Sequence, residues 1–150
     1  MDYSQASLGR VFILRLHDGE IVHETLEAFA EKNSLKNAMC LFLGGAKDKS
    51  KLVVGPKDGD TLPVEPMIAL LKGVHEGCGI GTIFCDSQDK PKLHMHGSFG
   101  RDGCAVTGCI RAGVEVWLIG EVVMFELLYS SARRERDPKT GFDLLETHNC

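Results

Sequence analysis

The sequence predicts a single α/β domain of the α+β type, in which one main helix packs on a β-sheet. Three observations lead there. Helical periodicity is confined to one stretch, where Val22, Leu26, Phe29 and Ala30 stand at i, i+4, i+7 and i+8. Short β-branched and apolar segments recur along the rest of the chain. Residues 93–110 read as a β-hairpin, with Gly100-Arg101-Asp102-Gly103 as the turn. At 150 residues and 43% hydrophobic content, the chain has enough apolar material for one core.

Residues 10–16, Arg-Val-Phe-Ile-Leu-Arg-Leu, form the first expected strand. Asp18-Gly19 closes it, and Asp18 is placed to cap the following helix, which runs to about Asn33. Glu20 and Glu24 early in that helix, and Lys32 late in it, suit its dipole. Residues 38–43 read as a buried strand without alternation, stopped by Gly44-Gly45. Lys47, Lys49 and Lys51 fall in a solvated loop, and 52–54 form a short strand. Residues 55–66, with Gly55, Gly59, Pro56, Pro63 and Pro66, form a long surface loop placed to act as a lid over a site. Strands follow at 67–74 and 79–85, with a turn at 86–91. Two further strands, 114–119 and 121–129, close the domain. The folded domain is expected to span 8–130, leaving 131–150 as a polar, poorly ordered tail.

The hairpin carries the chemistry. Alternation along a strand puts His94 and His96 on one face. If Arg101 and Asp102 form a two-residue loop, Gly100 pairs with Gly103, His96 with Thr107 and His94 with Cys109. Directly opposed residues share a face, with Cβ atoms roughly 5 Å apart. His94, His96 and Cys109 then converge as two imidazoles and a thiolate, a donor set suited to zinc that leaves a fourth position open. A slip of one residue would place Gly108 opposite His94 and turn Cys109 to the other face.

Bulk properties exclude several classes. A net charge of −4 and a pI of about 5.8 do not suit a domain whose main work is gripping phosphate backbones. No apolar run approaches the ~20 residues of a membrane span, so no membrane partner is expected. The first residues lack the basic and apolar regions of a signal peptide. The six cysteines (Cys40, Cys78, Cys85, Cys104, Cys109 and Cys150) therefore read as reduced thiols of a cytoplasmic protein, with Cys40 in the core. No C-x-x-C pair occurs.

Two other places carry candidate acid-base groups. His75-Glu76 follows a strand, but adjacent strand side chains point apart unless the chain bends at Gly77. Glu121 stands in a very apolar segment. It is either a carboxylate paired in the core or at a subunit interface, or an acid-base group whose pKa burial would raise.

Leu93-His94-Met95-His96-Gly97-Ser98, then Gly108-Cys109-Ile110, then Glu121-Val122-Val123, resemble the PPC (or PCC) domain, the "plants and prokaryotes conserved" family. Its prokaryotic members are often labelled DNA-binding proteins with a PD1-like motif. The family pattern is His-x-His, then Gly-Gly-His-Leu in the partner strand, then a Glu. Here the third histidine falls at Cys109 and Thr107 replaces the first glycine, so the site keeps its kind with a softer donor, while Gly73-Val74-His75-Glu76 through Gly81-Thr82-Ile83-Phe84 and Gly108-Cys109-Ile110-Arg111 resemble a distinct prokaryotic branch. The resemblance covers about residues 8–130. It implies an antiparallel-rich mixed sheet with one main helix, similar in fold to acetolactate decarboxylase and to a zinc ester hydrolase, and a homotrimer. It implies a regulatory, DNA-associated module, although this chain has no Arg-Gly-Arg-Pro core to enter a minor groove. The alternative is a zinc-dependent lyase or hydrolase acting on a small anionic substrate. In that case Glu121 or Glu76 shuttles a proton, and Arg111 or a loop lysine clamps the anion.

Overall fold

Residues 91–101 set the pattern for the whole sheet: Leu93, Met95 and Phe99 are buried, while His94 and His96 between them are exposed. The computed structural model describes residues 1–147. In chain order these form β1 (Ser7–His17), α1 (Val22–Lys32), β2 (Asn37–Ala46), β3 (Lys51–Pro56), β4 (Pro66–Leu70) and β5 (His75–Cys85). There follow β6 (Pro91–Arg101), β7 (Cys104–Cys109), a 3-10 turn (Ile110–Ala112), β8 (Val116–Leu128), β9 (Arg133–Arg136) and β10 (Asp143–Glu146). Eight strands form one sheet in the order β1-β8-β2-β5-β6-β7-β3-β4, and β9 pairs with β10 separately. Every one of these pairings is antiparallel.

The helix covers one face of the sheet. Val22, Leu26 and Ala30 are buried as the periodicity requires, and Phe29 packs edge-on against Phe12. Beneath them lie Leu16, Ala38, Cys40, Phe42, Ile83, Met95 and Phe99. Cys40 is a core thiol, and burial pushes its pKa up to about 12.

Several local expectations need correction. Asp18 does not cap α1, whose N-cap is Ile21. Its carboxylate instead accepts the Leu118 N–H at 2.9 Å, where a positive φ of 60° irregularly turns β8. Gly44-Gly45 does not stop β2 but sits in a bulge against β8. A Cβ on Gly44 would lie 2.6 Å from the Ile119 carbonyl oxygen, so glycine is needed for close backbone approach rather than for a turn. The two closing strands are one continuous β8. His75 and Glu76 open β5 rather than following a strand. Residues 133–146 of the expected tail carry the β9-β10 hairpin; residues 148–150, including Cys150, lie outside the described residues. Of the expected lysine loop, Lys47 is engaged by Asp18 at 3.0 Å and Glu115 at 2.9 Å and Lys51 opens β3, while Lys49 and Lys51 are exposed.

The carboxylate paired inside the apolar segment is Glu126, not Glu121. At the bulge in β1, the Arg10 backbone N–H donates to Glu126 Oε2 at 3.0 Å. The Arg10 guanidinium adds bonds of 2.8 Å to Oε2 and 2.7 Å to Oε1. One carboxylate thus satisfies the irregular backbone and a cation together. The Arg10 hydrogen bonds hold the Glu126 carboxyl down at about 2, against an ordinary value of 4.5. Because the folded state releases this proton more readily, the unfolded chain binds more protons between those values. Stability is therefore expected to fall as pH drops from about 4.5 towards 2. Glu126→Gln is expected to be less stable at neutral pH and to lose this part of the acid slope, read from thermal melts across a pH series.

Candidate metal centre

The hairpin between β6 and β7 turns at Asp102-Gly103, not at Arg101-Asp102. Their φ angles are 52° and 79°, both positive, as a type I′ turn requires. Asp-Gly supplies that geometry more readily than Arg-Asp, since glycine carries no Cβ penalty. The register therefore shifts by two residues from the expected one. Arg101 pairs with Cys104, Ser98 with Thr107, and His96 with Cys109. A two-residue shift preserves the face, so Cys109 still lies on the side of both histidines.

Pairing continues across the sheet. Ile13, Val123, Leu41, Ile80, His96, Cys109 and Val53 form one cross-strand row from β1 to β3. The neighbouring row runs Val11, Phe125, Met39, Thr82 and His94. Both rows lie on the face opposite the helix. Ile13 is 86% exposed, Ile80 63% and Leu43 60%, so this face presents apolar side chains to its surroundings.

At the β6-β7 end the rows meet a small cavity of about 160 Å³. His94, His96 and Cys109 line it, and their ligand atoms all lie within 4.8 Å of one another. The two Nε2 atoms approach to 3.1 Å. Two nitrogens bound tetrahedrally to zinc sit about 3.3 Å apart, so the donor set fits such an ion in kind and in spacing. Burial holds His94 below the ordinary imidazole value, helped by the positive charge of Arg134, His96 and Arg111. A neutral imidazole is the form that binds metal. Cys109 is 5% exposed. Gly55 and Pro56 at the end of β3, Val64 in the connection and Pro66 at the start of β4 line the same cavity, as does Phe142. The expected 55–66 loop is therefore shorter than the sequence suggests, its ends belonging to β3 and β4, and it forms one wall of the triad's cavity.

The other candidates divide. Arg111, in the 3-10 turn, lines the triad's cavity, and its guanidinium lies 4.9 Å from the Phe142 ring centroid. Glu121 is exposed on β8, which is separated from β6 by β2 and β5, roughly 14 Å at sheet spacing. Glu76 is exposed and pairs with Gly100, four residues along β5 from the partner of His96, roughly 13 Å away. His75 is buried on the other face, where its Nδ1 lies 3.0 Å from the Gly73 carbonyl oxygen. Within one chain the structure groups the triad with Arg111 and leaves Glu121, Glu76 and His75 apart.

Arg134 and Phe142 were not singled out by sequence. Both come from the segment read as a tail. Residues 133–136 are all charged, so their sequence carries no alternation that would mark Arg134 as the buried one. Nor does any local pattern indicate that Arg134 reaches Thr82, the cross-strand neighbour of His94, at 3.0 Å.

An antiparallel sheet with one helix behind it and a His-His-Cys triad on the opposite face defines a small β-rich domain with a candidate metal centre. The chain belongs to the Plants and Prokaryotes Conserved (PCC) domain family, whose model matches residues 3–128. A crystal structure of a plant- and prokaryote-conserved protein from Pyrococcus horikoshii is 25% identical, covers 100% of both chains and has a TM-score of 0.81. A metal-containing protein from Archaeoglobus fulgidus is also 25% identical, with a TM-score of 0.82, over 97% of this chain and 99% of that one. A protein from Ralstonia eutropha JMP134, provisionally named as DNA-binding, is 20% identical with a TM-score of 0.69, over 91% of this chain and 90% of that one; it shows the fold alone. No curated protein matches the sequence.

Cobalt(II) added to the purified protein is expected to give visible d–d bands and a thiolate charge-transfer band in the near ultraviolet. Cys109→Ser is expected to lose the charge-transfer band, and His94→Ala to weaken cobalt uptake. A band unchanged in Cys109→Ser would mean that the sulfur is not a ligand.

Proposed function

We propose that this protein is a zinc-binding homotrimer of the cytoplasm that takes a small anionic ligand at its metal centre. The observation that carries the reading is the approach of the His94, His96 and Cys109 ligand atoms to within 4.8 Å on one face. Three protein ligands leave zinc a position for water or an anionic oxygen, where it acts as a Lewis acid. Arg111 supports anion binding from the edge of that cavity. A reducing compartment keeps Cys109 available as a thiol, and the five cysteines among the described residues are unpaired. No helix among the described residues is long and apolar enough to cross a membrane.

Support for the trimer comes from the open face. Val11, Ile13, Met39, Leu41, Leu43 and Ile80 form a contiguous exposed apolar patch. Such a patch is costly in water and is covered most economically by a second copy of the same chain. Glu121 lies on this face, in the row of Leu43 and Cys78, so in an assembly it belongs to the interface region rather than to its own chain's metal centre.

DNA association is the second reading, favoured by the naming of similarly folded proteins. The net charge of −4 and the engagement of Lys47 by two carboxylates weigh against a face that tracks phosphates. The proton-transfer candidates also stand outside the triad's cavity, so the reading is one of ligand binding, without an assigned reaction.

Metal analysis of the purified protein should find about one zinc per chain, with three protein ligands at each site. His94→Ala and Cys109→Ser should each retain little, and equal content in all three proteins would remove the assignment. Sedimentation should give a trimer for the wild type and smaller species for Leu41→Asp with Ile80→Asp. A wild type that sediments as a monomer would overturn the assembly. DNA affinity that falls steeply with salt would favour the second reading.

A further inference from the structure

Beside the triad lies a larger cavity of about 880 Å³, within the usual range for small-molecule sites. It shares His94, Arg111, Pro66 and Phe142 with the triad's cavity, so the two are neighbours. Lys92, Arg111, Arg134 and Arg136 all line it. The acidic groups in its wall are largely engaged. Glu27 Oε1 accepts the Leu93 N–H at 2.8 Å, and Asp143 lies 3.6 Å from Arg136.

Arg134 is the unusual member. It is 6% exposed, yet no carboxylate among the described residues lies within ion-pair distance of it. Its guanidinium donates to Thr82 Oγ1 at 3.0 Å and lies 5.6 Å from the Phe84 ring centroid. Its Nε is buried without a hydrogen-bond partner. A guanidinium has five N–H donors and stays charged, so burial with a single hydrogen bond to the described residues is costly unless an anion completes it. Burial lowers its pKa, opposed by the more distant Asp143. Arg111, exposed on the 3-10 turn, holds its guanidinium carbon 4.9 Å from the Phe142 ring centroid, with no ion pair among the described residues. Both guanidiniums lie within cation–π reach of a ring, a contact that leaves N–H donors for an oxyanion.

We propose that Arg134 and Arg111 form an oxyanion subsite beside the triad, selecting small ligands that carry a carboxylate or phosphoryl group in addition to the group that meets the metal. The subsite rests on the metal-centre reading for the ligand's second contact, but not for its own. The ligand class is thus a small molecule with at least two oxygen-bearing polar groups, one for the guanidiniums and one for the metal. Arg134 binds the oxyanion from within the wall, and Thr82 ties it to the strand position opposite His94.

The test is calorimetric titration of malonate and, separately, of inorganic phosphate at low ionic strength, into metal-free and zinc-loaded protein. Both Arg134→Gln and Arg111→Gln should weaken binding about tenfold or more in the metal-free protein, since a hydrogen bond to a charged group is lost. Arg134→Lys should recover only part of the affinity, because an ammonium does not reproduce the planar fork. Arg111 lies on another element and is exposed, so its variant gives an answer even if Arg134→Gln fails to fold. Malonate tighter than phosphate assigns a carboxylate, and the reverse a phosphoryl group. Wild-type affinity in Arg111→Gln, or in a folded Arg134→Gln, overturns the subsite. Failure of the metal reading looks different: zinc leaves the affinity unchanged, His94→Ala binds as wild type, and the arginine variants still bind weakly.

Discussion

Strand parity constrains everything else in this molecule. In β6, Leu93, Met95 and Phe99 face the helix, and His94, His96 and Ser98 face away. One interaction, the packing of the odd-numbered side chains into the core, determines where the even-numbered ones stand. Phe99 is fully buried and fills the space that side chains at Gly77 and Gly97 would otherwise occupy. A strand held this firmly on one side presents its other side without freedom to slip. The imidazoles owe their common orientation to hydrophobic packing they do not take part in.

The same parity joins the triad to the apolar open face. His96 and Cys109 stand in the cross-strand row that contains Ile13, Leu41 and Ile80. The polar end of that row is sheltered within the chain by the 55–66 connection and Phe142, whereas the apolar end is bare. Glycines on β5 and β6 let the buried Phe99 lie flat against the backbone there. The helix contributes no ligand; its role is to anchor the opposite face through Val22, Leu26 and Ala30.

Much of this was legible in the sequence, and the losses share a cause. The helix is a local periodicity, and the strand alternation of residues 93–99 is local too, so both could be read. The face shared by His94, His96 and Cys109 also survived, because the error in the turn was an even number of residues. The turn itself was misjudged because Gly100-Arg101-Asp102-Gly103 offers two centres for a two-residue loop, and only backbone handedness separates them. Asp18 was misread as a cap because its actual partner, Leu118, lies a hundred residues along the chain. Glu121 drew attention that belonged to Glu126, since an apolar strand conceals which of its carboxylates faces inward. Arg134 was lost in a charged run whose composition resembles a solvated tail.

That last segment divides the molecule's labour. The family match ends at residue 128, whereas Arg134 and Phe142 lie beyond it on a hairpin that forms its own sheet. Its strands take no part in the eight-stranded ladder. The eight-stranded frame and the β9-β10 hairpin are thus separate hydrogen-bonded units, joined through side chains such as Arg134 on Thr82 rather than through a shared ladder.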